Sequence, residues 1–365
     1  MTEGLGRLRE RLNEIDRELL ELAAERQQIV HEIGQVKASR GLPTRDFERE
    51  KQVLERARTN ATALGLPPRL AERILTELIS VSLERQEADR IAASDREGEP
   101  VLILGGAGKM GRWFGAFLTS QGFSVEIADT AESRDFPMAE DWESNIERYA
   151  IIVLATPIAV TREMLQKIEK LRPPGLVFDI SSLKSPLRGP LRALADSGLK
   201  ITSLHPMFGP DTTLLSGRHV ITVDVGHAGA TREAKALFAP TMVEIVDMSL
   251  EDHDRMISYV LGLSHALNIG FFTALGESGE AASTLAKLSS TTFDAQLDIA
   301  RRVAGENPHL YFEIQALNDY RAAPLNALAE ALERLRSLVD GGDEAGFVRL
   351  MEKGRAYLAQ RSERT

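Results

Sequence analysis

Apolar residues at Leu8, Leu12, Ile15, Leu19, Leu22, Ile29 and Ile33 follow one another in steps of four and three with one interruption, the seam of a long helix over 8–36. Gly41-Leu42-Pro43 breaks it. Thr44 stands where the cap of a second helix over 45–62 is due, and a third helix starts after Gly65-Leu66-Pro67-Pro68 and runs to about Ala92. Ala93-Ser94-Asp95-Arg96-Glu97-Gly98-Glu99 reads as a polar linker. Beyond it the period changes. Short apolar runs at 101–104, 123–128, 151–154, 176–180, 201–204, 220–223 and 243–246 alternate with helical stretches, which predicts a mostly parallel sheet with covered faces. From about Leu250 strand signals cease and helical patterns continue to the end. The expectation is a multidomain chain: an all-α three-helix domain over 1–92, a linker over 93–99, an α/β domain over 100–248 and an all-α domain over 249–365.

Composition narrows the function classes. At 365 residues, 43% of them hydrophobic, the chain can bury more than one core. A net charge of −10 argues against a nucleic-acid partner, which would select a basic face. The absence of cysteine excludes disulfide scaffolds, thiolate catalysis and Cys-based zinc sites, and no metal is expected. Met1-Thr2-Glu3-Gly4 opens no targeting pattern and no segment reads as a membrane span, so a cytoplasmic protein without membrane contact is expected.

In the first helix Arg26 takes the seam position between Leu22 and Ile29 where an apolar residue was due, and a buried Arg requires an anionic partner. Lys37, eleven residues on, lies on nearly the same face about 16 Å along the axis. Two cations facing one gap suit a compact dianion. Arg9 is roughly 42 Å from Lys37 on an unbroken helix, so it would serve that gap only from a second copy. The alternative is that Arg26 snorkels to solvent or pairs with a local Glu.

These residues, together with Gly34-Gln35-Val36-Lys37, Arg45-Asp46-Phe47-Glu48-Arg49-Glu50, Ser82 and Gln86, resemble the all-helical chorismate mutases, which are intertwined homodimers of three-helix chains. The resemblance implies that Arg26 and a partner's Arg9 hold the two carboxylates of chorismate. Lys37 and Gln86 would hydrogen-bond the ether oxygen whose bond breaks. Asp46 and Glu50 would orient the ring hydroxyl, with Arg49 and Ser82 completing the wall. Such a rearrangement needs no nucleophile or proton shuttle, only shape and fixed charge.

In the α/β domain Gly106-Ala107-Gly108-Lys109-Met110-Gly111 follows the first strand and opens a helix, the setting a dinucleotide fingerprint requires. Gly106 is expected at the tight turn, Gly108 under the pyrophosphate and Gly111 at the helix–strand contact. Asp129 ends the second strand, where a carboxylate accepts ribose hydroxyls and repels a 2′-phosphate, favouring NAD over NADP. Arg134 nearby could soften that repulsion or face solvent. Ser181-Ser182-Leu183-Lys184 and His205-Pro206-Met207-Phe208-Gly209-Pro210-Asp211 follow later strands, and a His beside a nicotinamide is a candidate proton acceptor. His219, His227 and His309 read as turn residues.

This pattern resembles the prephenate dehydrogenases from about Val101 to Tyr320. The resemblance implies a Rossmann NAD-binding domain and a C-terminal dimerisation domain. His205 would take the proton of the C4 hydroxyl of prephenate and Ser182 would hydrogen-bond His205 and that hydroxyl. His265, twelve residues after His253 and read as sharing its face, would line the pocket. Arg302 would bind a carboxylate, with Arg301 as rival, and His253 reads as a capping or packing residue. The two resemblances meet in one pathway, chorismate to prephenate to 4-hydroxyphenylpyruvate. An arogenate-preferring dehydrogenase, or a helical head kept only for dimerisation or regulation, are the alternatives.

Overall fold

A computed structural model describes residues 2–94, 96 and 98–362, so that two positions of the polar linker, Asp95 and Glu97, lie outside the described residues together with Met1 and residues 363–365. The chain forms two compact units. The first comprises Met1–Thr156, Val160–Ser181 and Pro190–Met248, the second Pro157–Ala159, Ser182–Gly189 and Ser249–Thr365.

In the first unit, α1 (Thr2–Ser39), α2 (Phe47–Ala63) and α3 (Pro68–Ala92) form the helical head. Asp46, not Thr44, caps α2, its carboxylate accepting the Arg49 amide at 3.0 Å. Asp is the stronger N-cap, and the cap shortens the helix by two residues from the expected start. Pro68 begins α3 at the one position where a missing N–H leaves nothing unsatisfied. The apolar seam of α1 stays uncovered: Leu8, Leu12, Leu19, Leu22, Ile29 and Ile33 are all exposed.

The rest of this unit is a seven-stranded sheet in the order β2-β1-β3-β4-β5-β6-β7. Its strands are β1 (Pro100–Leu104), β2 (Ser124–Ala128), β3 (Ile151–Leu154), β4 (Leu176–Asp179), β5 (Ile201–Pro206), β6 (His219–Asp224) and β7 (Glu244–Ser249). The first five pair in parallel and β6 runs antiparallel to β5. Val101, Leu102, Ile103 and Leu104 are buried without alternation because both faces are covered, at about 1.5–3 kcal/mol for each such side chain. After β1, α4 (Lys109–Ser120) packs Phe114 and Phe117 against Phe238 and the sheet, and along the chain α5 (Ile158–Leu171) follows β3, α6 (Arg188–Asp196) follows β4 and α7 (Ala228–Ala236) follows β6. The chain turns back at β2 and resumes on the other side with β3, so a switch point lies beyond the carboxyl end of β1, where ligands of such sheets bind.

In the second unit, α8 (Leu250–Ile257) continues through a π-helical segment (Ser258–Leu263) into α9 (Ser264–Glu277). Further helices are α10 (Ala282–Lys287), α11 (Thr291–Ala304), α12 (Pro308–Ala316), α13 (Ala322–Asp340) and α14 (Glu344–Ser362). Two expectations change here. A regular helix would leave His253 and His265 about 120° apart rather than on one face, and the π residues, turning less per residue, offset part of that angle. Leu250–Glu277 is also one helix long and apolar enough, by length and composition, to cross a membrane, where no such segment is expected from the sequence. The polar His253-Asp254-Arg255 stretch at its start hid the 28-residue continuity. Helices of this composition also form the cores and subunit contacts of soluble proteins.

Candidate active sites

The helical head builds one cavity of about 290 Å³. From α1 come Arg26, Val30, Ile33 and Lys37, from α3 Ile79, Ser82, Leu83 and Gln86, each set spaced to share one helix face. Asp46, Arg49, Glu50 and Val53 close it from α2 and its cap, and Thr44 from the preceding loop. Of the eight residues expected at this site, seven therefore line one space; Arg9 does not, since α1 runs unbroken from Thr2 to Ser39.

Arg26 neither snorkels nor pairs with a Glu. Its Nη1 donates to the Leu78 carbonyl at 3.2 Å and to Ser82 Oγ at 3.4 Å, and burial lowers its pKa from the ordinary value. Among the described residues no carboxylate answers this guanidinium, so an anionic ligand is its natural complement. Lys37 Nζ rests on the Thr44 carbonyl at 3.2 Å, while the Thr44 hydroxyl accepts from Arg90 at 2.5 Å. Gln86 is buried, and its Nε2 donates to the Val30 carbonyl at 2.9 Å. Gly34 makes room for it: a Cβ there would stand 3.0 Å from Gln86 Cγ and 3.2 Å from Nε2. The Ser82 hydroxyl has carbonyl oxygens of Gln27 and Leu78 at 2.5 and 2.7 Å. Sequence reasoning missed Gln27, Thr44 and Arg90 as supports, because each acts through a partner distant in the chain.

At the sheet, the turn after β1 falls on Gly105 (φ 85°), one residue before the expected Gly106. Gly106 is needed for another reason: a Cβ would lie 2.4 Å from the side chain of Ile127 on β2. A Cβ on Gly111 would lie 2.2 Å from the Gly105 carbonyl, so the helix can only close on the strand with glycine there. Gly108 caps α4 without a side-chain hydrogen bond, and a helix start of this kind is where backbone amides can meet an anion. Asp129 reaches over this loop, its two oxygens accepting the Ala107 and Ala131 amides at 3.0 Å each. Arg134 is exposed. These features fit a dinucleotide: a backbone cradle, an uncapped helix start and a carboxylate at the second strand.

His205 is buried on β5, in register with Ile221 of β6. His219 opens β6 beside Glu244 at 3.1 Å, His227 caps α7 (Ala228–Ala236) by accepting the Ala230 amide, and His309 lies in α12, so none of the three is a simple turn residue.

In the second unit, half-buried Ser182 begins a segment held by buried Asp254, which accepts the Lys184 amide at 2.9 Å and both the amide and hydroxyl of Ser185. Burial pushes the Asp254 carboxyl up, but hydrogen bonds from His253 and Ser185 outweigh it and hold the pKa below the ordinary value. His253 is thus a packing partner, 2.7 Å from Asp254. His265 stacks on Tyr311 with ring centroids 4.1 Å apart, its buried Nδ1 has no hydrogen bond among the described residues, and burial pulls its pKa down to about 4. Arg302 is exposed on α11, and its rival Arg301 is engaged by Asp298 at 2.8 Å.

Residues 8–87 match the family model of chorismate mutase type II, residues 123–246 that of the prephenate dehydrogenase nucleotide-binding domain, and residues 249–353 that of the prephenate dehydrogenase dimerization domain. T-protein of Enterobacter agglomerans is 28% identical over 369 residues, which cover 100% of this chain and 95% of that protein. The 4-amino-4-deoxyprephenate dehydrogenase of Streptomyces pristinaespiralis is 31% identical over 271 residues, 71% of this chain and 91% of that protein. The fold is similar to that of the A. aeolicus prephenate dehydrogenase solved with hydroxyphenyl propionate and NAD+ (TM-score 0.57, 19% identity, 72% of this chain and 98% of that one). Fold and sites together define a two-headed enzyme, a helical anion pocket joined to a dinucleotide-dependent dehydrogenase. The chain belongs to the prephenate dehydrogenase family, in its bifunctional form with a chorismate mutase domain at the N-terminus.

Proposed function

We propose that the chain catalyses two successive steps of tyrosine biosynthesis, rearranging chorismate to prephenate and then oxidatively decarboxylating prephenate to 4-hydroxyphenylpyruvate with NAD. The observation that carries the reading is the convergence of Arg26, Lys37, Ser82 and Gln86 from two helices on one cavity. In that cavity Arg26 and Arg9 of a second copy grip the carboxylates and fold the substrate, which removes an entropic barrier. Lys37 and Gln86 donate to the ether oxygen, where negative charge grows as its bond to carbon breaks. Arg49 and Ser82 complete the wall, and Asp46 and Glu50 accept from the ring hydroxyl.

For the second step Gly106, Gly108, Lys109, Met110 and Gly111 cradle the dinucleotide and Asp129 takes its ribose. Bound there, NAD supplies the hydride acceptor. His205 accepts the proton of the C4 hydroxyl, and the ring becomes aromatic as its carboxylate leaves as CO₂. Ser182, His265 and Arg302 of the second unit are assigned to the substrate. A cytoplasmic homodimer, without nucleic acid or membrane, completes the reading. The uncovered seam of α1 and the apolar α8–α9 helix are the faces a second copy would cover.

Lys37→Ala tests the first head: chorismate turnover should fall at least a hundredfold while NADH formation from prephenate persists. Unchanged chorismate turnover would refute the mechanism. Running prephenate and arogenate side by side with NAD decides the second substrate; NADH from arogenate alone would replace prephenate in this account.

A further inference from the structure

Glu50 on the wall of the mutase cavity is gripped bidentately by Arg45, whose Nε and Nη2 each lie 2.9 Å from a carboxylate oxygen. The remaining arm of that guanidinium, Nη1, donates to Ser216 Oγ at 2.6 Å, and its face lies 4.2 Å from the Phe47 ring centre. Ser216 belongs to the sheet domain, in the loop between β5 and β6. On the other wall, Gln86 is followed by Glu87, which is 1% exposed. Its carboxylate accepts the Leu215 amide at 2.6 Å and also the Met242 amide. Burial raises the Glu87 pKa against the opposing pull of those two amides, as expected of a carboxylate enclosed rather than solvated. Leu215 itself is part of the core cluster of the sheet domain.

Two helices of the mutase cavity are therefore tied to adjacent residues of one dehydrogenase loop, α2 at Glu50 through Arg45 to Ser216, and α3 through Glu87, next in sequence to Gln86, to Leu215. Resting on the mutase reading given above, we infer that Arg45 and Glu87 are positioning residues of the mutase reaction, and that Leu215 and Ser216 of the dehydrogenase domain form their anchor. The chemistry supports both ties. An uncompensated Glu50 carboxylate would repel a dianionic substrate, and Arg45 offsets that charge while fixing which way the oxygens face. Glu87 gathers the buried Leu215 amide and the half-buried Met242 amide, and so fixes the height and rotation of α3 at Gln86. A displacement of about 1 Å at such a group is enough to lower a rate by as much as a hundredfold.

The test uses the full chain and reads kcat and KM for chorismate separately, with NADH formation from prephenate as the control for folding. Ser216→Ala, a change in the dehydrogenase domain, should lower the mutase kcat three- to tenfold with prephenate oxidation unchanged within twofold. Ser216→Thr, which keeps the hydroxyl, should restore it. Arg45→Ala should lower mutase kcat more than tenfold, and the Arg45→Ala, Ser216→Ala double variant should be no worse than Arg45→Ala alone. Glu87→Gln should lower mutase kcat and speed hydrogen exchange at the Leu215 and Met242 amides. Variants with wild-type mutase constants would overturn the assignment, as would parallel loss of both activities, which marks a merely structural role. A wild-type chain that does not turn over chorismate would refute the mutase reading itself, an outcome distinct from active wild type with unaffected variants.

Discussion

Gly34→Ala separates helix stability from catalysis at one position. Gly34 lies inside α1, where alanine is favoured over glycine by about 1 kcal/mol, so on local grounds the substitution stabilises the helix. The added methyl, however, would stand 3.0, 3.1 and 3.2 Å from Cγ, Cδ and Nε2 of Gln86, and that side chain has to retreat by a few tenths of an ångström. Gln86 is also held by its bond to the Val30 carbonyl, one turn before Gly34 on the same helix, so it cannot swing away without leaving a buried donor unpaired. Complete removal of a donor aimed at developing charge costs about 10²–10³ in rate. A partial displacement should cost a fraction of that, roughly tenfold in kcat, with the melting temperature unchanged or raised. Chorismate disappearance in the ultraviolet gives the rate and calorimetry the stability. Adding Gly34→Ala to Gln86→Ala should cause no further loss, because the methyl then meets nothing that matters. Full mutase activity in Gly34→Ala would refute the placement of Gln86 in the reaction.

Three other predictions concern the second head. His205→Asn should abolish NADH formation from prephenate while NAD binding, read by calorimetric titration, stays near wild type; retained turnover contradicts the proton-acceptor role. Asp129→Asn is nearly isosteric but removes the charge and one of the two acceptors that hold the Ala107 and Ala131 amides, and should reduce the preference for NAD over NADP about tenfold or more; an unchanged preference would mean that the carboxylate serves the loop alone. For His265, burial lowers the pKa from 6.5 to about 4, so between those values the unfolded chain binds the extra proton. Its contribution is present above about pH 6.5 and lost as pH falls toward 4, so the melting temperature of wild type relative to His265→Gln should drop across that window. A pH-independent difference would argue that the imidazole is solvated.

β1, β3, β4 and β5 were legible because each is a short run of apolar residues buried on both faces, a signal that survives without knowing its neighbours, whereas β2 alternates and β7 is only half-buried. The three helices of the head were legible from their breaks at Gly41-Leu42-Pro43 and Pro67-Pro68. Boundary chemistry was less so: Thr44 and Asp46 are both good caps two residues apart, and only the backbone geometry decides between them. The same holds for Gly105 and Gly106, where the positive φ sits one residue earlier than the fingerprint suggests. Among the candidate site residues, Arg26 announced itself as a cation in an apolar seam. Arg45 did not, standing in the run Arg45-Asp46-Phe47-Glu48-Arg49-Glu50 where charge is the background. Its distinction, a hydrogen bond to Ser216 across 171 residues of sequence, is a tertiary fact. That the segment Ser182–Gly189 joins the C-terminal helices was equally hidden, since Asp254 grips it from 69 and 70 residues away.

Two heads on one chain act in succession, the product of the first being the substrate of the second, and one reaction mixture tests this. Chorismate is supplied to the purified protein without NAD, its loss is followed to completion, and NAD is then added while NADH is recorded. Chorismate should disappear without the dinucleotide, prephenate should accumulate, and NADH should then form in proportion to it. Chorismate that persists until NAD is added, or prephenate that accumulates and yields no NADH, would contradict it.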